Sequence, residues 1–134
     1  MASTIHLEHV GIRSSAETFD ETIRFYTDLL GWRVIEERAS TGPTDRVTFI
    51  ADGRGGAFEV FVSTGPALAD PAHVAFAVPF AEFPALAERL RQAGVTFDEP
   101  FINDVGDQIA FFNDPGGNRA QIVGRLKPLP SRAV

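Results

Sequence analysis

One arrangement of residues occurs twice along this chain of 134 residues. His9-Val10-Gly11-Ile12 is matched by His73-Val74-Ala75-Phe76, 64 residues further on. Gly31 is matched by Gly94 at a separation of 63, and Glu59 in Phe58-Glu59-Val60 by Gln121 in Ala120-Gln121-Ile122 at 62. A separation that shrinks by one residue from landmark to landmark is what duplication followed by small deletions leaves behind. A chain of this kind must fold into two similar halves, each small enough to need the same short elements in the same order.

The first half opens on an alternating apolar-rich run, residues 4–13, which predicts a strand. Ser14 with Glu17 three residues later has the pattern of a capping box and predicts the start of a helix. Phe19, Ile23, Tyr26 and Leu30 then fall on one helical face, and Gly31 stands where a helix-ending glycine belongs. Three short strands are predicted at 32–37, 46–51 and 57–63, separated by Gly- and Pro-containing breaks. The second half repeats the order. A strand at 72–78 precedes a helix carrying Phe83, Leu86, Leu90 and Ala93, with Pro84 in its first turn and Gly94 at its end. Strands at 95–98, 108–113 and 120–124 follow, the last two joined by the turn Asn113-Asp114-Pro115-Gly116-Gly117-Asn118. The prediction is α+β: one domain over 1–134, made of two βαβββ modules (4–63 and 72–125) and a tail at 126–134 without periodicity.

Strand side chains alternate between faces, so parity decides which can converge. Val10 and Ile12 oppose His9, Gly11 and Arg13. Phe58, Val60 and Val62 oppose Glu59 and Phe61. Val74, Phe76 and Val78 oppose His73, and Ala120 and Ile122 oppose Gln121. If each apolar face packs under a helix, the other faces line one concavity of a cupped mixed sheet, with the helices outside. That concavity would hold His9, Glu59, His73 and Gln121. Two imidazoles, a carboxylate and an amide oxygen suit Fe(II), Mn(II), Co(II), Ni(II) or Zn(II). His6 has the opposite parity to His9 and no mate in the second half, which reads as a surface position.

Composition narrows the class of partner. Lys and Arg number 12 against 18 Asp and Glu, a formal net charge of -6, which argues against phosphate-backbone binding and hence nucleic acid. No apolar run approaches the ~20 residues of a membrane span, and the opening residues lack the basic and apolar regions of a signal peptide. Without Cys there is no disulfide and no thiolate ligand or nucleophile. The expectation is a cytoplasmic protein whose partner is a small molecule. Twelve Phe are present; most would fill the core, but Phe61 shares the parity of Glu59, and either Phe111 or Phe112 must face the concavity. An aromatic lining favours an apolar or aromatic substrate. Arg13, with the parity of His9, would hold an anionic substrate group at the rim or be a solvated strand end.

His9-Val10-Gly11-Ile12 and Phe25-Tyr26-Thr27-Asp28-Leu29-Leu30-Gly31-Trp32 resemble the opening of the vicinal oxygen chelate superfamily. His73-Val74-Ala75-Phe76, Asn113-Asp114-Pro115-Gly116-Gly117-Asn118 and the strand carrying Gln121 resemble its second module. The superfamily includes glyoxalase I, extradiol dioxygenases, methylmalonyl-CoA epimerase, fosfomycin-resistance enzymes and bleomycin-resistance proteins. The resemblance implies paired βαβββ modules cupped around a divalent metal, with His9, Glu59, His73 and Gln121 at the metal positions. It also implies a homodimer, in which each cup is sometimes built from two chains. Glyoxalase-type members usually have Glu where Gln121 stands, and that carboxylate also takes the substrate proton. Gln coordinates through its carbonyl oxygen but is scarcely basic, so Glu59 becomes the candidate catalytic acid–base.

Two His and one carboxylate are also the ligand set of non-haem Fe(II) oxygenases. The leading expectation is therefore an Fe(II)- or Mn(II)-type oxygenase acting on a phenolic or quinone-like compound. Ni, Co and Zn also fit the donors. A glyoxalase-like lyase, isomerase or epimerase working by proton transfer through Glu59 is the second expectation. A metal-free drug- or metabolite-binding protein is the third.

Overall fold

The computed structural model describes residues 8–66 and 73–127. The described residues divide into two compact units, 8–66 with 114–118, and 73–113 with 119–127. Each unit carries one four-stranded mixed sheet, and the βαβββ order runs twice as the repeat requires. No helix among the described residues is long and apolar enough to cross a membrane.

In the first unit the strands are β1 (Val10–Ser14), β2 (Arg33–Glu37), β3 (Val47–Ala51) and β4 (Ala57–Val62), in the spatial order β1-β4-β3-β2. β1 runs parallel to β4, and the other pairs are antiparallel. Helix α1 (Phe19–Arg24) continues into a π-helical turn, Phe25–Leu29, and Gly31 (φ +74°) ends it in the left-handed conformation that glycine adopts without Cβ strain. Phe19, Thr22, Phe25 and Tyr26 are buried, as are Ile12, Thr48, Ile50, Phe58 and Val60 on alternate strand positions. Tyr26 meets Phe58 edge-on at 5.2 Å, and Trp32 lies 4.9 Å from the same ring. The expected apolar face is thus the core, except that Val10 at the sheet edge keeps 37% of its surface.

The second unit repeats the plan with β5 (Val74–Pro79), β6 (Phe101–Ile102), β7 (Gln108–Asn113) and β8 (Arg119–Arg125), in the order β5-β8-β7-β6. A 3-10 turn, Phe80–Glu82, leads into α2 (Phe83–Gln92), which has Pro84 in its first turn as predicted. Phe83, Ala87 and Leu90 are buried, together with Ala110, Phe112, Ala120 and Ile122. The contact is close at Gly124, where a Cβ would stand 2.8 Å from Phe83 Cβ.

Three expectations about elements need correction. Ser14 and Glu17 do not cap α1, whose N-cap is Thr18 with no side-chain capping hydrogen bond. Ser14 is the last residue of β1, opposite Val62, and its hydroxyl donates to Phe61 O at 3.3 Å. Ser15 and Thr18 exchange reciprocal bonds across the turn that leads into α1: Thr18 N–H donates to Ser15 Oγ (3.1 Å) and Ser15 N–H to Thr18 Oγ1 (3.0 Å). Residues 95–98 form no strand; one bond, Asp98 N–H to Phe111 O at 2.9 Å, ties them to β7, and Pro100 supplies no N–H to extend it. The fourth strand of that sheet is the two-residue β6. Finally, β1 begins at Val10, so Glu8 and His9 precede it; residues 4–7 of the predicted strand, with His6, lie outside the described residues, as do Ala72 and the tail from 128.

Candidate functional site

The face of the first sheet opposite its core carries Gly11, Arg13, Phe49, Ala51, Ala57, Glu59 and Phe61, with His9 at its edge. β1–β4 pairing sets Gly11 beside Glu59, and β3–β4 pairing sets Phe49 beside Glu59 from the other side. His9 Nε2 lies 3.8 Å from Glu59 Oε2, too long for a hydrogen bond. Two donors on one small divalent ion stand ~3.0–3.4 Å apart when each bond is ~2.1 Å, so a shift of a few tenths of an ångström would let this pair share one. The residues therefore fit such an ion by donor type and spacing. Phe49 meets the His9 ring edge-on, with centroids 5.4 Å apart at 87°. Arg38 lies over Phe49 at 4.9 Å and forms an ion pair with Glu36.

Arg13 is half-buried. Its Nη2 donates to Gly65 O (2.8 Å) and Ser63 O (3.3 Å), while Nε is buried without a partner. Phe61 lies against Gly11, its ring 3.3 Å from where a Cβ would project, so glycine leaves the room this ring occupies.

The second sheet carries the same pattern. β5–β8 pairing sets Ala75 beside Gln121, and β7–β8 pairing sets Phe111 beside Gln121. Gln121 is buried, with 9% of its surface exposed. His73 meets Phe111 edge-on at 5.1 Å and 83°, and Arg119 lies over Phe111 at 5.0 Å while pairing with Asp98. The choice between Phe111 and Phe112 is thereby settled: Phe112 is fully buried against Phe97. The first unit thus brings His9 and Glu59 together, and the second places both His73 and Gln121 next to Phe111. Among the described residues no three His, Cys, Asp or Glu side chains are gathered as one metal group.

Sequence reasoning passed over Phe49, the counterpart of Phe111, although a signal was present. The two Phe are 62 residues apart, the same separation as Glu59 and Gln121. It also passed over Asp114 and Asn118, which belong with the first unit. Asn118 clasps the backbone of Arg13 on both sides, accepting from its N–H (3.0 Å) and donating to its carbonyl (2.7 Å). Asp114 in turn accepts from the Asn118 N–H (2.8 Å) and from Tyr26 Oη–H (2.7 Å). Burial raises the Asp114 carboxyl above its ordinary value, against those hydrogen bonds. Burial, with the neighbouring carboxylate, pushes the Tyr26 hydroxyl well above its own.

Comparison with known proteins agrees with this architecture. No curated protein matches the chain. Among solved structures, a glyoxalase family protein from Enterococcus faecalis is similar, with TM-score 0.73 and 24% identity over 90% of this chain and 98% of that one. The fosfomycin resistance protein FosX from Listeria monocytogenes, complexed with Mn(II) and sulfate ion, gives TM-score 0.75 at 15% identity, covering 93% and 94%. The oxidase ChaP-H2 gives TM-score 0.64 at 27% identity, covering 94% and 98%. The family model described as Glyoxalase/Bleomycin resistance protein/Dioxygenase superfamily matches residues 6–122, and the chain belongs to that superfamily.

Proposed function

We propose that the chain is a divalent-metal-dependent oxygenase acting on a phenolic or quinone-like compound through two adjacent oxygens. The observation that carries this reading is the repetition, at matched register on both sheets, of an imidazole held edge-on to a Phe whose strand partner is Glu59 or Gln121. His9, Glu59 and His73 would hold the ion, with Gln121 as a weaker fourth donor or as a hydrogen-bonding neighbour. His73 and Gln121 would come from the same chain or from the other copy of a homodimer. Fe(II) or Mn(II) suits this set best, and Ni, Co and Zn share its donor chemistry. Such an ion, when bound, supplies Lewis-acid polarisation of substrate oxygens and a place for O₂ beside them. The Mn(II) complex of FosX and the naming of ChaP-H2 as an oxidase support the metal and the redox class.

The side chains account for the rest. Two neutral imidazoles and one carboxylate offset only one of the ion's two charges, which favours a substrate with one anionic oxygen. Phe49, Phe61 and Phe111 provide ring faces and edges for an aromatic substrate. Arg13, anchored by two backbone carbonyls, adds a fixed positive charge on the His9–Glu59 side.

A second reading, proton transfer as in glyoxalase-type lyases and isomerases, is favoured by one observation. The Glu59 carboxylate makes no hydrogen bond among the described residues and is about one-third exposed, so it can accept a proton that the Gln121 amide cannot. The two readings separate in one assay on the metal-loaded protein with a catechol-type substrate and, in parallel, an α-hydroxycarbonyl substrate in D₂O. We expect O₂ uptake with the first. Deuterium incorporation from the second substrate without O₂ uptake would overturn the oxygenase reading in favour of the lyase. Ligand binding indifferent to chelator, with neither reaction, would overturn both.

A further inference from the structure

We infer that Glu8, which lies outside the four-donor set, fixes which ring nitrogen of His9 is offered to that set. The inference deepens the proposed metal site and rests on His9 being a donor there. Glu8 Oε1 stands 2.8 Å from His9 Nδ1. A carboxylate can only accept, so in the neutral ring Nδ1 carries the hydrogen and Nε2 the lone pair. Nε2 is the atom that faces Glu59 Oε2 at 3.8 Å, beyond hydrogen-bond range. The imidazole is therefore aligned between two carboxylates, one bonded to its hydrogen and one beside its lone pair. Phe49, edge-on at 87°, fixes the remaining freedom, the tilt of the ring.

That is the arrangement by which a carboxylate behind a metal-ligating imidazole sets its tautomer and raises its basicity. It is also a point at which the halves of the repeat have diverged. The residue before His73 is Ala72, so that half has no carboxylate in the equivalent sequence position. Glu8 is a positioning residue with no part in the core, since 79% of its side chain is exposed, and its replacement should leave the fold intact.

The test uses full-length protein freed of metal and labelled with ¹⁵N in its histidines, at a pH where the rings are neutral. The parent should show His9 as the Nδ1–H form. Glu8→Ala should lose that preference and shift towards Nε2–H. Glu8→Gln, whose amide oxygen still accepts from Nδ1–H, should retain it, and the His73 signals should not move in either variant. Mn(II) titration should then show affinity falling roughly 10- to 100-fold in Glu8→Ala and far less in Glu8→Gln. An unchanged His9 tautomer in Glu8→Ala, or equal losses in the Ala and Gln variants, would overturn the role given to Glu8. A parent that binds no Mn(II), with the tautomer still shifting in Glu8→Ala, would overturn the metal reading and leave the orientation of His9 by Glu8 standing.

Discussion

Tyr26 and Asp114 are 88 residues apart in sequence, yet the bond between them is among the best buried in the molecule. Removing the hydroxyl in Tyr26→Phe strips one donor from a buried carboxylate, and we expect a loss of about 1–3 kcal/mol in urea unfolding. A loss below about 0.3 kcal/mol would show that the pair does not hold this turn. Gly116 is fixed for a different reason: a Cβ there would lie 2.3 Å from the Arg13 carbonyl oxygen, so no side chain fits without moving backbone. Because folding raises the Asp114 carboxyl, its protonated form is the one favoured in the fold. Its contribution is fully present in acid below the ordinary value of 3.8 and declines as pH rises through the raised one. At Gln121 the residue scale meets chemistry. If its neutral amide is what limits proton transfer, Gln121→Glu should raise solvent proton exchange on a glyoxalase-type substrate by about 10²-fold. Deuterium-exchange kinetics would show this, and an unchanged rate would mean that Glu59 already serves or that neither residue does.

Among the elements, the entry to α1 shows how sequence reading and folding part company. Ser14 and Ser15 can both cap, and the pattern with Glu17 favours Ser14. Parallel pairing with β4 claims Ser14 for the sheet, and Ser15 and Thr18 bond reciprocally across the turn that leads into α1. Ser15→Ala should therefore cost about 1 kcal/mol in thermal or urea unfolding through the lost turn hydrogen bonds, whereas Glu17→Ala, which takes no part in them, should be close to neutral. A large loss in Glu17→Ala would restore the cap read from sequence. At the far end of β8, Asp107 accepts from Leu126 N–H (2.9 Å) and Arg125 Nη1 (2.8 Å). The Leu126 amide, then Arg125 and Asn103, hold this carboxyl below its ordinary value of 3.8. Its contribution is thus present above that pH and is lost as pH falls through the lowered value, the opposite sense to Asp114. In Asp107→Asn the acid limb of the stability–pH curve should flatten. An unchanged slope would remove Asp107 from it.

Across the whole molecule, the repeat was the legible part. Offsets of 64, 63 and 62 residues stand in the sequence itself, and strand parity then assigns His9, Glu59, His73 and Gln121 to faces. Phe49 is within reach by the same offset from Phe111, but it carries no ligand chemistry to mark it. What could not be read is the exchange of Asp114–Asn118 into the first unit. A Gly- and Asn-rich turn announces only that the chain reverses, while its buried partners Tyr26 and Arg13 lie far away in sequence. The central claim is that both sheets serve one ion, and metal content measures this directly. Protein purified without added metal should carry one divalent ion per chain by elemental analysis, and both His9→Ala and His73→Ala should lose most of it while remaining folded. Full metal retained in His73→Ala would contradict the claim, because the ion would then be held without the second unit's imidazole.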